Sequence, residues 1–167
     1  SVLGQGITNA SAMSNTGTMD TAGMYYGDPS DATVGVKFMG IENIFGNTET
    51  WVDGVVCADG NIKISDNTVF NDTGDGYLYS YVRDGITEGR ATKVHADNIG
   101  GFLPKETGGS NTTYYCDYVA LPTNAKPIMV YGGSCEEGEN AGIFSSYYQT
   151  VSTTYKYIGA RLQYLAP

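Results

Sequence analysis

Alternation of apolar and polar side chains first becomes sustained at Val34-Gly35-Val36-Lys37-Phe38-Met39, which predicts a short strand. Before it, Ser1 to Asp31 is rich in Ser, Thr, Asn, Gly and Met and keeps neither a two-residue nor a 3.6-residue period. The chain therefore divides into an irregular N-terminal segment, 1–33, draped on the domain or leading from an upstream region, and a folded domain, 34–167. In Gly40 to Gly46, Ile41, Ile44 and Phe45 fall at i, i+3 and i+4. That spacing predicts an amphipathic helix of one to two turns, stopped by Gly46 in a left-handed conformation. Thr48 to Asp53 reads as a strand led by Trp51, with Gly54 breaking or bending it before Val55 and Val56 continue.

Asp59-Gly60-Asn61 is a turn, and Ile62-Lys63-Ile64 is the hairpin partner of the preceding strand. Asp66 to Gly76 is a polar loop, and Tyr77 to Val82 reads as a strand. Ala91 to Thr107 gives mixed signals and no assignment, Gly108 to Asn111 reads as flexible, and Thr112 to Tyr118 reads as extended. In the C-terminal third, Pro127 to Tyr131 is a buried-type strand ending at Gly132-Gly133. Ala141 to Phe144 begins another extended run, and Tyr157 to Leu165 alternates as a closing strand. Ser134–Asn140 and Ser145–Lys156 lie between them, polar and aromatic, with no helical period.

Composition adds to this picture. At 167 residues the chain fits one domain with one core. Gly (23) and Tyr (14) are abundant while Phe (5) and Trp (1) are scarce, so a loop-rich fold with short strands is expected. A net charge of −9 repels phosphate backbones and removes nucleic acid from the expected partners. No apolar stretch approaches the length of a spanning helix, so no membrane insertion is expected. Ser1 to Gly6 lacks the basic and apolar regions of a signal peptide, and the missing initiator Met reads as a fragment or a processed product. The odd cysteine count (Cys57, Cys116, Cys135) indicates no disulfide framework, and the absence of a CxxC unit argues against zinc.

No catalytic constellation emerges, and no catalytic residue, cofactor or metal is expected. His95 is the single histidine, and there is no GxSxG elbow, Walker loop or GxGxxG turn. Asn71, Thr73, Asp75 and Gly76 match the opening of an EF-hand loop, but Val82 stands where the bidentate Glu belongs, so the stretch reads as a turn. Glu136, Glu137 and Glu139 read as solvated charges. By contrast, Ser134 to Tyr157 sets Tyr147, Tyr148, Tyr155 and Tyr157 among Ser, Thr and Gln. Tyrosine with small polar residues is the composition of paratopes, giving large contact area with few rotatable bonds. The same residues also suit an ordinary sheet surface.

Two segments carry a family resemblance. Gly40-Ile41-Glu42-Asn43-Ile44-Phe45-Gly46-Asn47-Thr48-Glu49-Thr50-Trp51-Val52-Asp53-Gly54 resembles a signature of formylglycine-generating-enzyme-like C-type-lectin folds. Gly132-Gly133-Ser134, followed by Ile158-Gly159-Ala160-Arg161-Leu162, resembles the frame that ends such domains. With Thr113 to Asp117, the order is similar to tail-associated proteins of phages and prophages in gut bacteria, over Val34 to Leu165. The resemblance implies an α+β, C-type-lectin-like fold with short antiparallel strands, one or two short helices and long irregular loops. In variable proteins of diversity-generating retroelements the same frame holds a diversified binding surface. Where the family often has Trp after Gly-Gly-Ser, this chain has Cys135. The enzyme branch uses a redox-active cysteine pair in the C-terminal part, where this chain has Cys135 alone, so the fold is carried over and the activity is not.

The resulting expectation is a non-enzymatic receptor-binding domain of a phage or prophage tail, sited on the virion or a bacterial surface. It would bind a host-cell surface protein or glycan, with oligomerisation on the virion adding avidity. Its contact residues would be Cys135, Glu136, Glu137, Glu139, Asn140, Ser145, Ser146, Tyr147, Tyr148, Gln149, Ser152, Thr154 and Tyr155, with Gly132, Gly133, Gly159 and Arg161 as scaffold. Two alternatives stay open: a structural virion protein that uses the tyrosine segment as a subunit interface, and an oxidase or hydrolase of the formylglycine-generating type.

Overall fold

A computed structural model describes residues 3–66, 68–82, 86, 88–101, 103–113, 115, 117–120 and 128–160. The strands are β1 (Lys37–Phe38), β2 (Ile41–Glu42), β3 (Glu49–Ala58), β4 (Asn61–Ile64), β5 (Tyr79–Val82) and β6 (Gly89–Val94). They are followed by β7 (Pro104–Gly109), β8 (Tyr118–Val119), β9 (Ile128–Tyr131), β10 (Ser146–Gln149) and β11 (Ile158–Gly159). The only helical pieces among the described residues are three-residue 3₁₀ turns at Ala10–Ala12 and Gly138–Asn140. The expected α+β, C-type-lectin-like class is therefore overturned: the protein is nearly all β, built on a curled mixed sheet that forms a half-barrel.

The helix expected over Gly40 to Gly46 is instead a hairpin, β1 paired antiparallel with β2 through Lys37↔Glu42 and Phe38↔Ile41. Met39, Gly40, Asn43, Gly46 and Asn47 all have positive φ, which no right-handed helix accommodates. Ties to the N-terminal segment hold this shape. The Glu42 carboxylate accepts backbone N–H bonds from Gly17 (2.7 Å) and Met19 (2.8 Å), and the Lys37 ammonium donates to the Met19 carbonyl (2.8 Å). Ile41, which the helical reading placed beside Phe45, is 47% exposed, while Phe45 is buried. The N-terminal segment is irregular, yet its Ile7 and Met19 side chains are buried.

The large sheet runs β5-β4-β3-β9-β10-β8-β6-β7, with β11 added beside β3. The strands expected from Trp51, Ile62, Tyr79 and Ile128 are all present. The Asp59-Gly60 turn closes the β3–β4 hairpin in the register Val55↔Ile64 to Ala58↔Asn61. The unassigned Ala91–Thr107 stretch supplies most of the β6–β7 hairpin. Of the closing strand expected over Tyr157 to Leu165, Ile158–Gly159 is a strand and Arg161 onward lies outside the described residues. The pairings are not all antiparallel: β10 runs parallel to β8, and β11 parallel to β3.

At Gly54 (φ 81°) β3 bulges, and its register against β9 shifts between Trp51 and Val56. Thr50 pairs with Tyr131 and Gly159, and Val56 with Ile128 and Lys63, so β4 and β11 share one edge of β3 while β9 takes the other. The core packs on the inner face of this curl, where Val55, Ile62, Ile64 and Met129 meet Leu103 from the connection between β6 and β7. Ile62 and Ile64 reach it through the two-residue period of β4.

Leu103, fully buried, is the side chain from the far end of the sheet that joins the β3–β4 cluster. Leu103→Ala is expected to cost about 2–5 kcal/mol in urea denaturation, the range for deleting a buried leucine side chain. A loss well below about 1 kcal/mol would show that the curl does not depend on this contact.

Candidate functional site

Both ends of the Gly132–Tyr157 segment are fastened to one short stretch, Gly46–Glu49. The Gly46 N–H donates to the Gly132 carbonyl (2.9 Å), the Cys135 N–H to the Asn47 carbonyl (3.1 Å), and the Glu49 N–H to the Tyr157 carbonyl (2.8 Å). The parallel pairs Ile158↔Glu49 and Gly159↔Thr50 continue the attachment. The two motifs that carry the family resemblance are thus neighbours in space. Gly133 makes the turn out of β9 at φ 68°, and a Cβ there would lie 2.7 Å from the Ala141 Cα, so both conformation and space require glycine.

From this anchor the chain descends into the 3₁₀ turn Gly138–Asn140, which β6 holds from below. The buried Arg90 guanidinium donates to the Glu139 carbonyl (3.3 and 3.4 Å) and to Asn140 Oδ1 (3.0 Å), and pairs with the Glu139 carboxylate at 3.4 Å. Asn111 Nδ2 adds a bond to Glu139 Oε2 (3.1 Å), and Gln5 Nε2 one to the Glu139 carbonyl (2.8 Å). Glu139 and Asn140 are therefore engaged in fixing the turn.

The expected contact residues separate by burial. Cys135 (1% exposed), Ser145 (0%) and Ser146 (2%) are buried, which removes them from any contact surface. The reason is close packing: Ser145 Oγ donates to the Tyr118 carbonyl, and Ser146 sits between β9 and β8. The Cys135 thiol is pushed up by burial and then by Glu136, which leaves it unreactive. In β10 the two-residue period sends neighbouring tyrosines to opposite faces. Tyr148 packs on the core cluster, Tyr147 stacks on Tyr118 (6.2 Å), and both are half-buried, as is Gln149. Glu136, Glu139, Ser152, Thr154 and Tyr155 are exposed, and Glu137 and Asn140 are half-buried.

The accessible part forms a belt of tyrosines and carboxylates. Tyr118 Oη donates to Glu88 (2.6 Å) and Tyr147 Oη to Glu137 (2.5 Å), and Glu136 lies near the Tyr157 phenol, which is pushed up by burial and then by the Glu136 charge. Tyr155 lies parallel on Tyr157, with centroids 5.3 Å apart and planes 7° from parallel. Glu49, Glu88, Tyr118 and Tyr157 were not among the expected contacts. The sequence signal for Glu49 was an acidic residue at the start of a Trp-led strand. Glu88 and Tyr118 are far away in the chain and carried no local signal.

Glu49 is only 2% exposed, and among the described residues no hydrogen-bond donor reaches its Oε2. Burial, reinforced by the charge of Glu137, pushes its carboxyl up to about 7. Tyr118 is pushed up to about 12, first by the bond it donates to Glu88 and then by burial. Tyr147 is raised by burial and then by its bond to Glu137.

Elsewhere, the Asn71–Gly76 loop closes on itself through Asn71 Oδ1, which accepts N–H bonds from Thr73, Gly74 and Asp75. His95 packs against Tyr81 at 4.8 Å. Among the described residues no three His, Cys, Asp or Glu side chains are grouped to hold a metal. No described helix is long and apolar enough to cross a membrane. Cavities of about 490 and 300 Å³ lie under the N-terminal segment and beside Arg90 and Asp117, and neither is lined by Tyr155 or Tyr157. The chain matches no family model, no curated protein and no solved structure.

Because the folded-state value of Glu49 lies above its ordinary 4.5, folding favours the protonated acid. Its contribution to stability is complete below about pH 4.5 and is lost as pH rises through about 7, a total of about 3 kcal/mol. Glu49→Gln keeps the shape without the charge. Urea melts should show the variant gaining about 3 kcal/mol on the parent between pH 4 and pH 8.5. Parallel stability curves would refute the buried-acid reading.

Proposed function

We propose that this chain is a non-enzymatic binding domain of the kind a phage or prophage tail uses to attach to a host-cell surface. The observation that carries the reading is the stacked Tyr155–Tyr157 pair, with Tyr155 52% exposed, on a segment whose two ends are tied to Gly46–Glu49. A tyrosine face held on a stiff frame is what recognition requires, because little side-chain freedom is lost when it is covered. The likeness of the motifs at Gly40–Gly54 and around Gly132 and Ile158 to tail-associated proteins supports the same assignment. Burial revises the contact set. Binding would run through Tyr155, Tyr157, Glu136, Glu137, Ser152 and Thr154, with Tyr147 behind them, while Cys135, Ser145, Ser146 and Tyr148 serve the sheet.

The structural-virion alternative would cover the same tyrosines with a second subunit. The test separates the two. Fluorescently labelled chain should stain cells within a panel of gut bacteria, and Tyr155→Ala/Tyr157→Ala should reduce that staining about tenfold or more, the loss expected for removing a stacked aromatic anchor pair. Because Tyr155 is exposed and Tyr157 anchors Glu49 through its backbone carbonyl, the melting temperature should move by no more than a few degrees. Equal staining by parent and variant, or a parent that stains no cell type, would sink the proposal.

A further inference from the structure

We propose that the tyrosine–carboxylate belt receives a positively charged protein surface, one that presents arginine or lysine side chains. This rests on the binding role proposed above and names the partner chemistry. Three features of the belt point to a cation. The ring of Tyr155, 52% exposed and stacked on the half-buried Tyr157, carries the negative quadrupole that attracts guanidinium and ammonium groups. Carboxylates cap the phenols of Tyr118 and Tyr147, and a third, Glu136, lies beside Tyr157, so the rim is rich in anionic acceptors; a bidentate guanidinium complements such a rim, and a neutral donor gains less from it.

The third feature is Glu49. Its carboxyl is almost fully buried and its Oε2 lacks a donor among the described residues, an arrangement that ordinarily costs free energy and calls for a compensating group. It interacts electrostatically with Glu137, Tyr147 and Tyr157, so it lies close behind the belt, and a cation bound there would favour its ionised form. Lys156 is the one basic residue on the Thr150–Tyr157 loop. Its single charge is outnumbered by those of Glu88, Glu136 and Glu137, and Arg90 is paired with Glu139, so the belt is net negative. The net charge of −9 would also steer a basic partner toward this surface. Glu136, Ser152, Thr154 and Tyr155 are exposed, so the belt presents an accessible face suited to another protein's surface rather than to an enclosed small molecule.

The probe is a short peptide alternating Gly and Arg, with a Gly-Ser peptide of equal length as the uncharged control, titrated by calorimetry into the full chain. Glu136→Gln/Glu137→Gln should weaken Arg-peptide binding about tenfold, as expected for removing close charge partners. Asp20→Asn/Asp72→Asn removes the same number of charges from exposed positions away from the belt and should change it less than about twofold. Binding by the parent should fall from low to physiological ionic strength. The inference is overturned if the Arg peptide binds no better than the Gly-Ser peptide, or if both double variants lose affinity equally, which would reduce the effect to overall charge. If Tyr155→Ala/Tyr157→Ala abolishes cell staining while Glu136→Gln/Glu137→Gln leaves staining intact, the cationic partner is wrong and the binding role stands.

Discussion

Strand β3 is paired along both edges, and its Gly54 bulge makes that possible. Beyond the bulge, Val55–Ala58 pair with β4; before it, Glu49–Thr50 pair with β11 on the same edge. Without the change of register at φ 81°, a straight hairpin would let β4 extend toward the start of β3. Instead that place is left to residues that return from more than a hundred positions away, Ile158 and Gly159. Satisfying the backbone N–H and C=O groups of Gly46–Glu49 therefore means fixing both exits of the Gly132–Tyr157 segment. The tyrosine–carboxylate face is a by-product of closing that strand edge.

The same closure buries Glu49, and its carboxyl has poor alternatives. Ionised, it would sit in a desolvated site beside Glu137; protonated, it is neutral and tolerated. The neighbouring phenols donate to the outer carboxylates: Tyr147 to Glu137 and Tyr118 to Glu88. The inner acid, pushed up to about 7, thus sits behind carboxylates that have donors of their own. A cation brought to the rim would favour the ionised form of the inner acid as well, so occupancy of the belt and the protonation of Glu49 are thermodynamically linked.

Much of the sheet was legible from local pattern because its signals are local. Asp59-Gly60 makes a turn whatever surrounds it, the period of Ile62 and Ile64 sets the inner face of β4, and Gly54 marks its own bulge. The helix expected over Gly40–Gly46 failed because the spacing of Ile41, Ile44 and Phe45 was outweighed by five positive-φ residues and by carboxylate bonds from Glu42 to a segment more than twenty residues away. The β6–β7 hairpin could not be read, since its register shifts at three places and blurs the two-residue period. The site was half legible. Tyrosine among small polar residues marked the right segment, but composition does not reveal facing. Within β10, adjacency alone sends Tyr147 and Tyr148 to opposite sides, and the small side chains of Cys135, Ser145 and Ser146 are there because chains approach closely, not because they are free to vary.

The proposed binding face differs from a flexible loop in where its entropy is spent. The phenols of Tyr118 and Tyr147 are already hydrogen-bonded and two pairs of rings, Tyr118–Tyr147 and Tyr155–Tyr157, are already stacked, so their rotamers are restricted before any partner arrives. Each immobilised side chain avoids about 0.5–1.5 kcal/mol of ordering cost on association. The accompanying disadvantage is narrow tolerance. Glu137 cannot be exchanged for an apolar residue without stranding the Tyr147 hydroxyl in a half-buried position, and Tyr157 cannot shift without disturbing the N–H bond that anchors Glu49. Freedom to change chemistry without loss of fold is confined to positions that make no such bonds to the frame, chiefly Val151, Ser152, Thr154 and Tyr155 at the tip of the segment. Variation in what this surface binds would therefore be carried by the tip, with the capped tyrosines beneath it kept as a constant support.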